Sequence, residues 1–108
     1  MKGKRVAVLG MGKSGIALVR ELKARGALPF ISDQRPQEQL QQALEQLHDV
    51  PQETGGHTDK VLEQDMLVIS PGISVHSPIV RKALEKGLEV AGEVELAYRF
   101  SRAPFVAV

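Results

Sequence analysis

Val6-Ala-Val-Leu-Gly-Met-Gly-Lys-Ser-Gly15 decides how this chain folds. The short apolar run Arg5–Leu9 predicts a parallel strand covered on both faces. The glycines at 10, 12 and 15 then spell G-x-G-x-x-G. Gly10 permits a tight turn, Gly12 leaves the backbone open to a phosphate, and Gly15 lets the next helix pack close to the strand. Helix spacing follows at once. Gly15, Leu18, Val19 and Leu22 fall at i, i+3, i+4 and i+7, with Arg20, Glu21, Lys23 and Arg25 mostly outside and Gly26 as the stop. The start of such a helix offers free N–H groups and a partial positive charge to a diphosphate, and the Ser14 hydroxyl adds a donor. The same glycines also serve a tight turn that binds nothing. Their position between a strand and an amphipathic helix favours nucleotide binding.

Outward from this stretch, strands and helices alternate. Strands are expected at Leu28–Ser32, as a stub at Gln52–Thr54, at Met66–Ser70, at Leu88–Ala91 and at Pro104–Val108. Helices are expected after Pro36 (Leu40, Ala43, Leu44, Leu47), over Thr58–Gln64 with Thr58 as cap, after Ser77-Pro78 (Val80, Ala83, Leu84, Gly87), and over Glu93–Ser101. Glu93 and Glu95 suit the positive end of that last helix. The pattern predicts an α/β, Rossmann-like domain: an open, mostly parallel five-stranded sheet with helices on both faces. Residues 1–102 form this domain, and 103–108 read as the first strand of a further one. The run Pro104–Val108 reads as an unfinished element, so the sequence is expected to be one domain of a larger protein.

Composition narrows the function. The 108 residues are 43% hydrophobic and 25% charged, ordinary for a single globular domain. The net charge is +1 with acids and bases interleaved, and no basic run or aromatic-basic stripe points to nucleic acid or a membrane surface. There is no cysteine, which excludes disulfides and thiolate metal sites. The apolar stretch after Met1-Lys-Gly-Lys-Arg5 ends at Gly10, too soon for a signal peptide or a membrane span, so the cytoplasm is the expected compartment.

Right-handed crossovers bring every loop that follows a strand to one edge of the sheet. Two further loops there carry chemistry. Asp33-Gln-Arg35 begins eighteen residues after Gly15, near where an acidic residue meets a ribose hydroxyl in dinucleotide-binding folds. Asp33 equally suits a cap or turn. Arg35 suits a stacked base, a phosphate or plain solvent. Ser70-Pro-Gly72 enforces a turn and bares the backbone at Gly72 toward a flat ligand. His48, His57 and His76 share no metal-ligand spacing and read as surface or turn residues; no metal site is expected.

Taken in order, Val6–Gly15, Asp33-Gln-Arg35, Ser70-Pro-Gly-Ile73 and Gly92-Glu-Val-Glu-Leu96 resemble the start of the Mur ligases, above all the D-glutamate-adding members of that family. The resemblance covers essentially the whole chain, and the S-P-G-I and G-E-x-E-L segments are its specific parts. It implies the N-terminal domain of a three-domain cytoplasmic enzyme of peptidoglycan synthesis. That enzyme joins D-glutamate to UDP-N-acetylmuramoyl-L-alanine using ATP and magnesium. The implied partners are that substrate and the central and C-terminal domains. The resemblance gives this domain the uridine nucleotide. Backbone at Lys13 and Ser14 would hold the diphosphate, Asp33, Gln34 and Arg35 would face the uracil, and Gly72 would line the same pocket. Lys13 and Gln34 depart from the residues usual in the family, so only their backbone roles carry over. No catalytic residue and no cofactor are expected within the chain.

Two other readings stay open. In the nucleotide-binding half of an NAD(P)-dependent dehydrogenase, Asp33 would take the adenosine ribose or Arg35 a 2′-phosphate, but the S-P-G-I and G-E-x-E-L segments would be unexplained. A regulatory domain using a nucleotide only as a signal is the other.

Overall fold

The computed structural model describes all residues except 1, 11, 12, 37, 39, 40, 42–44, 48, 74, 75 and 108, with backbone alone at 13, 14 and 101–107. Five strands form one sheet: β1 (Arg5–Leu9), β2 (Leu28–Asp33), β3 (Gln52–Thr54), β4 (Met66–Ile69) and β5 (Glu89–Gly92). Their order is β3-β2-β1-β4-β5, and every pairing is parallel. The helices whose bounds lie within the described residues are α1 (Lys13–Ala24), α2 (Pro78–Glu85) and α3 (Glu93–Ala107), with a 3-10 helix at Asp59–Glu63. The expected Rossmann-like architecture is therefore present.

Alternation along the strands builds two cores, because successive side chains leave a strand on opposite faces. Val6 and Val8 of β1 join Met66 and Val68 of β4 on one face, under Leu18, Val19 and Leu22 of α1 and Leu96 and Phe100 of α3. Ala7 and Leu9 join Leu67 and Ile69 on the other, under Val61 of the 3-10 helix and Ile79, Val80 and Ala83 of α2. A strand buried on both faces must be apolar at every position, which is why β1 and β4 read as continuous runs.

The predicted punctuation is visible. Gly26 adopts φ +82° after α1, and the Ala27 N–H reaches back to the Leu22 carbonyl at 2.9 Å, closing the helix end. Thr58 caps the 3-10 helix by accepting from the Lys60 N–H. Ser77 and Pro78 open α2 as expected, although the Ser77 side chain makes no capping bond. The helix expected after Pro36 falls mainly on residues outside those described, Leu40, Ala43 and Leu44 among them; Glu38, Gln41, Glu45 and Gln46 are helical.

One expectation fails. In place of the strand expected at Pro104–Val108, α3 continues through Ala107, and Val108 lies outside the described residues. A short apolar run fits either period, and a helix satisfies its own backbone where a strand needs a neighbour. Pro104 has no N–H, so the Phe100 carbonyl one turn earlier loses its usual donor. Arg25 supplies one: its Nη2 donates to that carbonyl at 3.1 Å. The same guanidinium lies 4.3 Å from the centre of the Phe100 ring, and its Nε donates to Glu21 at 2.8 Å. Arg25 thus fastens α3 to the end of α1.

Two substitutions test this packing by chemical denaturation. Leu22→Ala, at a fully buried side chain, is expected to cost about 2–5 kcal/mol. Arg25→Ala is expected to cost about 1–2 kcal/mol, from the lost ring contact and the carbonyl left without a donor.

Candidate functional site

Parallel pairing puts the carboxyl ends of all five strands on one edge. The connections leave β1 in one direction toward β2 and β3 and in the other toward β4 and β5. An open parallel sheet is split by a crevice at such a reversal. The loops after β1, β2, β3 and β4 meet there around a cleft of about 350 Å³, within the range of small-molecule pockets.

Six of the residues singled out from the sequence line this cleft: Gly10, Asp33, Gln34, Arg35, Ser70 and Gly72. Gly10 holds φ +88°, and a Cβ there would sit 2.5 Å from Ser70 Oγ. Both the backbone angle and the close approach of the β1 and β4 loops require glycine. The Gly10 N–H donates to the Ser32 carbonyl at 2.9 Å, tying the turn to β2 as well. Gly72 faces open space, with nothing within 4 Å of where a Cβ would stand. Lys13 begins α1 and Gly15 is buried within it; Ser14 lies between them. Gly12 is outside the described residues. Pro71 is exposed in the same turn as Gly72 but is not among the residues lining the cleft.

Asp33 and Arg35 act on each other. The Asp33 carboxylate accepts from the Arg35 backbone N–H at 2.8 Å, from Nε at 3.2 Å and from Nη2 at 2.8 Å. The Asp33 side chain is 4% exposed and that of Arg35 47%, so a buried carboxylate steadies a cation at the mouth of the cleft. The hydrogen bond that the guanidinium donates to Asp33 raises its pKa further, and Arg35 stays charged.

The loop after β3 brings residues that no sequence motif marks. Expected as a surface or turn residue, His57 is instead half-buried and lines the cleft. Its Nδ1 lies 2.6 Å from Ser32 Oγ, and Ser32 Oγ lies 2.7 Å from Glu53 Oε2. Thr58 closes the cluster, its backbone N–H donating to Glu53 Oε2 at 2.9 Å and its hydroxyl to Oε1. No local signal could reveal this group, because β3 is a three-residue edge strand that its pairing with β2 aligns. Ile73 and Ser77 also line the cleft. His76 is exposed, as expected, and His48 is outside the described residues. Glu93 and Glu95 occupy the first turn of α3; both carboxylate oxygens of Glu93 are buried without a hydrogen-bond partner among the described residues. Those residues hold no cluster of metal-ligating side chains and no helix long and apolar enough to cross a membrane.

Burial holds the His57 pKa below its ordinary 6.5, against the opposing pull of Glu53 and Asp33. Burial alone would raise Glu53, but hydrogen bonds from Thr58 and Ser32 and the nearness of His57 hold it below its ordinary 4.5. In both cases the unfolded chain takes up the proton first as pH falls, so acid destabilises the fold. The melting temperature is expected to be flat above about pH 7, to decline as pH drops below the 6.5 of a free histidine, and to fall faster below 4.5. His57→Ala should remove the first decline and leave the second, as read by thermal melts across pH.

Comparison with known proteins gives one answer. Residues 4–92 match the family model described as Mur ligase MurD-like, N-terminal domain. Over 111 residues the chain is 47% identical to the UDP-N-acetylmuramoylalanine--D-glutamate ligase of Caldanaerobacter subterraneus, covering 100% of this chain and 25% of that protein. It is 44% identical over 109 residues to the ligase of the same name from a Geobacillus species, covering 97% and 24%. The chain thus spans about a quarter of the length of these curated relatives. Among solved structures, a pseudomurein peptide ligase type C from Methanothermus fervidus superimposes with a TM-score of 0.65 at 21% identity, over 82% of this chain and 19% of that one. L-tryptophan dehydrogenase from Nostoc punctiforme superimposes with a TM-score of 0.61 at 20% identity, over 85% and 27%. These two likenesses establish the Rossmann-like fold. The match to the family model over most of the chain, with the identity to the curated ligases, establishes more: the chain belongs to the MurD-like N-terminal domains of the Mur ligases.

Proposed function

We propose that this domain binds the uridine diphosphate end of UDP-N-acetylmuramoyl-L-alanine, within a cytoplasmic ATP-dependent ligase that adds D-glutamate to it during peptidoglycan synthesis. One observation carries the reading. The glycine turn, Asp33-Gln-Arg35 and Ser70-Pro-Gly-Ile73, far apart in the chain, share one cleft at the switch point of a parallel sheet. The names of the curated relatives support the same substrate.

In this reading the backbone of Gly10, Gly12, Lys13, Ser14 and Gly15, at the positive end of α1, holds the diphosphate. Asp33, Gln34 and Arg35 form one wall around the uracil, and Ser70 and Gly72 the other, with Pro71 shaping their turn from outside the cleft. Arg35, anchored through Asp33, presents a planar cation that can stack on the base or neutralise phosphate. Gly72 leaves the opposite wall flat. The domain's contribution to catalysis is to position: it grips the nucleotide so that the distant L-alanine carboxylate lies at the reacting centre. Amide formation proceeds by transfer of a phosphoryl group from ATP to that carboxylate, after which the amine of D-glutamate attacks the acyl phosphate and displaces phosphate. ATP and magnesium fall to the other domains of the ligase, since no G-x-x-x-x-G-K-[ST] sequence occurs in this chain. No catalytic residue is assigned within it.

Titration calorimetry with UDP and with NADH tests the reading. UDP is expected to bind near millimolar, about 4 kcal/mol, and NADH not detectably. Clear NADH binding without UDP binding would favour the nucleotide-binding half of a dehydrogenase instead. Gly12→Val, with an unchanged circular dichroism spectrum, should abolish the UDP signal.

A further inference from the structure

His57 has no part in the site as read from sequence, yet it stands in the cleft with its ring nitrogens bound to different tasks. Hydrogen-bond accounting assigns its tautomer. Ser32 Oγ has one proton and two close neighbours, Glu53 Oε2 at 2.7 Å and His57 Nδ1 at 2.6 Å. An ionised carboxylate only accepts, so the serine proton must go to Glu53. Were it given to His57 instead, two oxygens bearing only lone pairs would face each other at 2.7 Å. His57 Nδ1 must therefore carry its own proton and donate to Ser32 Oγ. In the neutral ring this leaves Nε2 with a lone pair. Ser32 is fully buried and His57 lines the cleft, so with Nδ1 committed to Ser32 the nitrogen available to a ligand is Nε2.

Position supplies the ligand group. The diphosphate end belongs to the β1–α1 turn, and β3 lies two strands away, about 10 Å at ordinary strand spacing. The part of a bound nucleoside diphosphate farthest from its phosphates is the base. Uracil presents an imide N–H between two carbonyls, whereas cytosine has a bare acceptor nitrogen at that place. We propose that His57, held as the Nδ1–H tautomer by the Ser32–Glu53 pair, is a specificity-determining residue that accepts the uracil imide N–H through Nε2.

The inference rests on the uridine-binding reading and deepens it. Among the described residues, Glu53 on β3 and Asp33 at the end of β2 are the charged groups that act on the ring, and Arg35 lines the same cleft. The two carboxylates favour its protonation, and burial opposes them and prevails. The acceptor lone pair therefore survives through neutral pH. Once the ring is protonated, Nε2–H opposes the imide N–H, so recognition is lost on the acid side.

The test combines titration calorimetry with nitrogen-15 NMR of the histidine rings. The wild-type chain is expected to bind UDP at least about tenfold more tightly than CDP at pH 7.5, with nitrogen shifts of the Nδ1–H tautomer at His57. His57→Ala should bring the UDP and CDP affinities within about twofold of each other. His57→Gln can place an amide oxygen near the Nε2 position; it should keep most of the UDP preference and lose its weakening in acid. UDP binding with an unchanged UDP-to-CDP ratio in His57→Ala, or an Nε2–H tautomer in the wild type, would overturn the role of His57 and leave the uridine site standing. Absence of UDP binding in the wild type would instead overturn the site itself. Native circular dichroism in both variants guards against loss of fold.

Discussion

The placement of β1 between β2 and β4 is the constraint on which the rest depends. It pairs in parallel on both sides, Val6 with Pro29 and Met66, Leu9 with Ser32 and Ile69. It is also covered on both faces, by α1 and α3 on one and by α2 and the 3-10 helix on the other. Parallel pairing forces each connection across a face and returns each strand end to the same edge. Because β2 lies on one side of β1 and β4 on the other, the chain cannot fill the edge between them, and the cleft opens there.

Around that cleft, polar groups are held from beneath. Asp33 is nearly buried and fastens Arg35; Ser32 is fully buried and joins Glu53 to His57. Both devices stand at the carboxyl ends of β2 and β3, where the sheet core gives way to solvent. A buried polar group left unpaired is costly, so each is bonded to a neighbour that itself reaches outward. The result is a cleft whose lining groups, an exposed arginine fork and a half-buried imidazole, owe their orientation to the layer below.

The helix pair against the first face shows the same economy of contacts. Arg25 bonds Glu21 on its own helix, covers the Phe100 ring and donates to the carbonyl that Pro104 deprives of a partner. One residue thereby answers a defect written into another helix 75 positions away. The apolar run that follows Pro104 gave no local sign of this, since it fits a strand as well as a helix.

Strand and helix periods, the glycine turn and the loops at 33–35 and 70–73 were legible because each is a local pattern with a local cause. Continuous apolar runs signal burial on both faces. Gly10 marks a backbone angle and a close approach that only glycine tolerates, and Asp33 bonds a residue two positions on. The sequence by itself thus determined the α/β class, the order of elements as far as the start of α3 and most of the residues that line the cleft, but not the helical run that replaces the strand expected at Pro104–Val108. The tertiary structure alone decided that His57 belongs there, that its ring is held through Ser32 by Glu53, and that Arg25 completes the end of α1 against α3. Those contacts join residues 21, 25 and 75 positions apart. No periodicity encodes such distances; they exist only once the parallel sheet has set its strands side by side.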